Sequence, residues 1–109
     1  MELKRGDLVI VSAPGNYGKP RPAAIIQSNY FKDTGSVTVL LMTSDLHDDL
    51  SLVRHRITPT EGNGLLSVSE VMIDKIFTIP RDRLRQKIGR LPATEMAEIT
   101  ASLALFLGM

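Results

Sequence analysis

With 109 residues, 43% of them hydrophobic, the chain is long enough to bury one ordinary core and too short for two comfortable domains. It has no cysteine, which excludes disulfides, thiolate metal sites and a cysteine nucleophile and fits a reducing cytoplasm. A net charge of +1 makes no global case for nucleic-acid binding, although residues 74–90 hold six cations against two acids.

The segment Met1 to Asp7 has no apolar core of signal-peptide length, and no stretch approaches the ~20 apolar residues that span a bilayer, so a soluble, unsecreted protein is expected. Leu8-Val9-Ile10-Val11 reads as a first strand, closed by the turn residues Ser12 to Asn16, and Ala23 to Gln27 reads as a second. Val37 to Met42 is apolar without alternation and rich in β-branched residues, the pattern of a central strand covered on both faces. Ser51 to Ile57 is a fourth candidate strand, Gly62-Asn63-Gly64 a turn, and Leu65 to Ser67 a short fifth strand. Val71 to Ile73 and Ile76 to Ile79 form another extended stretch, stopped by Pro80. A short helix is expected over about 81–87, with Leu84 and Ile88 as its apolar contacts.

After Leu91-Pro92 the period changes. Met96, Ile99, Leu103 and either Phe106 or Leu107 fall at helical spacing over Ala93 to Leu107, and Gly108 follows as a stop. The expected architecture is one domain over 1–109, mainly β, with strands over about 7–79 forming a small, strongly curved antiparallel sheet or barrel and a C-terminal helix packed on it.

Several chemistries are set aside by spacing. Gly15-Asn16-Tyr17-Gly18-Lys19 lacks the hydroxyl and the following helix of a phosphate-binding P-loop. His47 and His55 stand eight apart with no obvious third ligand, which disfavours zinc. No Gly-flanked nucleophile supports a triad of Ser44, Asp45 and His55.

What remains is Lys19-Pro20-Arg21-Pro22, a cation between two prolines at the mouth of the second strand. The prolines hold the Arg21 backbone extended and narrow its side-chain directions. If the second and third strands are antiparallel neighbours, Arg21 meets Thr43-Ser44 at one edge of the sheet. A permanent cation beside a hydroxyl suits a phosphodiester, because the guanidinium balances charge growing on the phosphoryl oxygens and the hydroxyl orients them. RNA cleavage by its own 2′-hydroxyl needs no metal or other cofactor. The bland alternative pairs Arg21 with an acid such as Asp7 and leaves Thr43 merely ending a strand.

Four stretches in order carry a family likeness: Lys4-Arg5-Gly6-Asp7-Leu8-Val9; Arg21-Pro22-Ala23-Ala24-Ile25-Ile26-Gln27-Ser28; Val37 to Ser44; and Ser69 to Ile79 followed by Arg83-Leu84 and Ile88 to Leu91. Together they resemble the MazF/PemK toxins of bacterial toxin–antitoxin systems across nearly the whole chain. The resemblance implies a compact SH3-like β-barrel with a C-terminal helix, and a homodimer. It also implies metal-independent, sequence-selective cleavage of single-stranded RNA, and inhibition by a cognate antitoxin whose acidic, disordered tail occupies the RNA groove. Carried over residue by residue, it makes Arg21 and Thr43 catalytic, places Asp74 as an acid near the site, and makes Asn16, Tyr17, Lys19 and Ser44 candidates for RNA contact.

Two departures bear on the chemistry. Some PemK-like members have an Arg two residues before the acid, where this chain has Met72, and a His in the first loop, where this chain has none. The proton-transfer role is thereby left open between Asp74, Glu70 and a relay through Arg21. The alternative reading is a non-catalytic toxin of the same fold that poisons a protein such as DNA gyrase, as CcdB-like toxins do. Those depend on a Trp near the C-terminus, and this chain has no Trp.

Overall fold

The computed structural model describes residues 2–12 and 19–109. Six antiparallel strands make one sheet: β1 (Asp7–Val11), β2 (Arg21–Ile25), β3 (Ser36–Thr43), β4 (Arg54–Ile57), β5 (Ser69–Pro80) and β6 (Leu84–Arg90). An α-helix, α1 (Ala93–Leu107), follows the last strand. The strand order β4-β5-β3-β2-β1-β6 leaves β4 and β6 as edges, so the expected barrel is an open, curled sheet rather than a closed one. None of the described helices is long and apolar enough to cross a membrane.

The strands are apolar on both faces because each face meets a core of its own. Val9, Val11, Ile25, Val39, Leu41, Ile79 and Leu84 form one, which the curl of the sheet gathers together. Leu8, Ala24, Leu40, Met42, Val71 and Ile73 form the other, against Met96, Ile99 and Leu103 of α1. In β5 the sides change over. Leu40 pairs with Ile76 but Met42 pairs with Val71, so two steps of β3 run against five of β5, a bulge that holds Asp74 and Lys75. Because side chains alternate with period two, the bulge lets Val71 and Ile73 join the helix-side core while Phe77 and Ile79 join the other.

Helix α1 begins after Pro92 and stops at Gly108, whose φ of 75° places it in the left-handed region and lets its N–H bond the Leu105 carbonyl. Its last turn does not pack as expected: Phe106 and Leu107 are about half exposed.

Three expectations need correction. The helix expected over 81–87 is a single 3-10 turn, Arg81–Arg83, followed by strand β6. Leu84 and Ile88 share a face in either geometry, and the free edge of β1 decides for a strand, pairing Asp7 with Arg90 and Val11 with Leu84. The strand expected from Ser51 starts only at Arg54, after a turn. Leu65 to Ser67 is not a strand: Asn63, buried in the preceding turn, accepts the Leu65 and Thr60 N–H groups on its Oδ1 and donates to the Thr58 carbonyl. Those bonds fold the segment into a loop.

Candidate functional site

The antiparallel β2–β3 pairing runs from Ile25 opposite Val39 to Ala23 opposite Leu41, so Arg21, at the start of β2, and Thr43, at the end of β3, stand at the same end of the sheet. Thr43 in turn pairs with Glu70 on β5, and Glu70 with Arg56 on β4. Thr43, Glu70 and Arg56 therefore form one row across three adjacent strands, and Arg21 begins the fourth strand at the same end of the sheet. The antiparallel pairing of β2 with β3 follows the expectation from sequence.

A groove of about 650 Å³ opens at this end, and Lys19, Arg21, Thr43 and Ser44 all line it. Leu65, Leu66 and Ser67 supply one wall, and Gln86 and Ile88 of β6 another. Thr43 is buried to 9% exposure, and its Oγ1 accepts the Asp45 N–H at 3.1 Å, which leaves the hydroxyl hydrogen to be donated. Asn16 and Tyr17 lie outside the described residues.

Asp74 is not among the groove-lining residues. It lies in the β5 bulge, further along the strand than Glu70, and its Oδ2 pairs with Lys75 Nζ at 2.9 Å. Glu70 is the acid beside Thr43, yet its oxygens are occupied. Oε1 accepts from Arg54 Nη1 and from the His47 N–H, each at 3.1 Å, and Oε2 accepts from Arg56 Nε at 3.1 Å and Nη2 at 2.7 Å. Burial by itself raises the Glu70 pKa, but the hydrogen bonds from Arg56, His47 and Arg54 outweigh it, and the net shift is downward. A carboxylate so held is a poor proton acceptor. Its effect is on position, because the bond from His47 ties the chain just beyond Thr43 to β5.

The pairing of Arg21 with Asp7 is not made. Asp7 is fully buried at the start of β1, where it meets Arg90 Nη1 at 3.1 Å and Lys87 Nζ at 3.2 Å and accepts the Lys4 N–H at 2.8 Å.

Arg54, Arg56 and Gln86 stand in no motif that the sequence alone marks as functional. A usable signal existed for the first two: Arg54 and Arg56, two apart in a strand, must share a face.

A family model for the PemK-like, MazF-like toxins of type II toxin–antitoxin systems matches residues 4–107. The chain belongs to this family. It is 45% identical over 108 residues to a probable endoribonuclease MazF of Mycolicibacterium smegmatis, with 98% of each chain covered. It also superposes on an endoribonuclease solved in complex with its cognate antitoxin from a mycobacterial species, at a TM-score of 0.80 and 22% identity, covering 98% of this chain and 96% of that one. A MazE–MazF crystal structure from Deinococcus radiodurans aligns at a TM-score of 0.77 and 25% identity over 100% of this chain and 99% of that one. The fold of the MazF toxins is thus the fold of this chain, and the gyrase-poisoning alternative is not favoured.

Proposed function

We propose that the protein is the toxin of a toxin–antitoxin system and a sequence-selective endoribonuclease that cleaves single-stranded RNA without a metal. The observation that carries this reading is that Arg21 and Thr43, from neighbouring antiparallel strands, line one groove. The ribose 2′-oxygen attacks phosphorus in line, the bond to the 5′-oxygen breaks, and the 2′-hydroxyl proton is passed on to the leaving oxygen. The products are a 2′,3′-cyclic phosphate and a 5′-hydroxyl. Arg21 balances the charge growing on the phosphoryl oxygens and Thr43 donates a hydrogen bond to them. Lys19 and Ser44 hold the neighbouring backbone, with Asn16 and Tyr17 as further RNA contacts, Tyr17 by stacking. Asp74 receives no step here, because it does not line the groove.

The protein acts in the cytoplasm as a homodimer, and its cognate antitoxin lays an acidic, disordered tail into the groove that RNA would fill.

Incubation of the purified protein with a long RNA in EDTA, followed by mapping of the ends, tests the reading. Discrete cuts with 5′-hydroxyls are expected. Arg21→Ala should slow cleavage by a factor on the order of 10²–10³, the usual effect of removing one transition-state donor, with little change in melting temperature. Intact RNA would overturn the proposal, and cleavage unaltered in Arg21→Ala would overturn the role of Arg21.

A further inference from the structure

The spacing of His47 and His55 offers no third metal ligand, but the fold brings two carboxylates to one of them. His55 sits in edge strand β4 opposite Val71, a member of the core that α1 covers, so its ring is turned toward the helix. Glu95 and Glu98, three apart, share a face at the start of α1. His55 Nε2 lies 2.9 Å from Glu95 Oε2 and 3.7 Å from Glu98 Oε2, and the three donor atoms all fall within 4.8 Å of one another. We propose that His55, Glu95 and Glu98 bind one divalent transition metal, Zn²⁺ being the ion they fit, and that the ion ties β4 to α1.

Geometry and charge both support this. Zinc holds imidazole nitrogen and carboxylate oxygen at about 2.0–2.2 Å, which sets tetrahedral donors roughly 3.4 Å apart, and the two distances from His55 bracket that value. The imidazole donor favours zinc over magnesium or calcium, which take oxygen ligands. Among the described residues, His55 is the one cationic or ionisable basic side chain within salt-bridge reach of either glutamate. A divalent ion placed among the three donors carries the charge that matches two carboxylates. His55 is held in place with its side chain 15% exposed, whereas Glu98, at 68%, stands in solvent and leaves a path for entry.

The other histidine shows what such a cluster lacks when it is only an ion-pair group. Asp45 approaches Nε2 of His47 at 3.0 Å, but Asp49 approaches Nδ1 at 3.7 Å, on the opposite edge of the ring. No single ion reaches one nitrogen and both carboxylates there.

The test is titration of EDTA-treated, dialysed protein with ZnCl₂ at neutral pH, by calorimetry and by thermal unfolding. One zinc per chain is expected, with a melting temperature that rises as the site fills. Glu95→Gln and Glu98→Gln should each weaken binding by at least about 10-fold, since even outer-shell partners of a metal site cost that much, and should remove the rise. Glu98→Gln changes an exposed side chain and so keeps the test open should Glu95→Gln fail to fold. His47→Asn should leave both readouts unchanged. Absence of saturable binding, binding that survives both glutamate variants, or binding lost in His47→Asn would overturn the site. None of its three residues lines the groove, so it stands or falls independently of RNA cleavage.

Discussion

Glu70 faces Thr43 across the β3–β5 ladder with donors from Arg54, Arg56 and the His47 amide all directed at it. Its folded-state pKa lies below the ordinary 4.5 despite the opposing effect of burial. A depressed carboxylate contributes stability that is fully present above the ordinary value and is lost as pH falls through the folded-state value. Glu70→Gln should therefore cost about 1.5–3 kcal/mol at neutral pH, the range for hydrogen bonds to charged groups. The gap to wild type should stay constant down to about pH 4.5, the ordinary value, and narrow below it. Urea unfolding across a pH series checks this; a gap that widened in acid would contradict it. From the sequence, Glu70 was one of three open choices for proton transfer. Its occupied oxygens depend on β4 lying beside β5, a pairing that no local pattern encodes.

At the scale of elements, the loop walling the groove owes its shape to contact with β6. Gly64 has a φ of +69°, and a Cβ there would lie 2.1 Å from the Ile88 carbonyl oxygen; a Cβ on Gly89 would lie 2.4 Å from the Asn63 carbonyl carbon. The two backbones touch because neither residue has a side chain. Gly89→Ala should destabilise by roughly 1–3 kcal/mol, the cost of overpacking, and should impair RNA cleavage by displacing Leu65 to Ser67. Gly35→Ala, where a Cβ would meet nothing within 4 Å, should change stability by no more than about 0.5 kcal/mol and serves as the control. Thermal unfolding of the two variants compares them directly. The turn at Gly62-Asn63-Gly64 was legible from residue type, whereas its partner was not, since Leu84 and Ile88 fit a helix face and a strand face equally well.

For the whole molecule, the sheet, its two cores and α1 leave apolar surface without cover. Leu105, Phe106, Leu107 and Met109, at the end of α1, are 47–90% exposed. The homodimer proposed above would explain why a chain of this size tolerates that exposure. Sedimentation equilibrium should return twice the chain mass at every concentration tried; a monomer throughout would remove the dimer from the proposal.

The sequence by itself determined the strands apolar on both faces, the terminal helix with its stop at Gly108, and an extended cation, Arg21, at the mouth of a strand. Each of these is written in periodicity or in the restricted backbone of proline and glycine, which act over a few residues. Only the tertiary structure decided that β6 is a strand, that Glu70 is held by two arginines while Asp74 stands outside the groove, and that His55 meets Glu95, 40 residues away. Periodicity says which faces are apolar. Which edges pair, and in what register, depends on contacts distant in the chain, and those pairings place one charged side chain beside another.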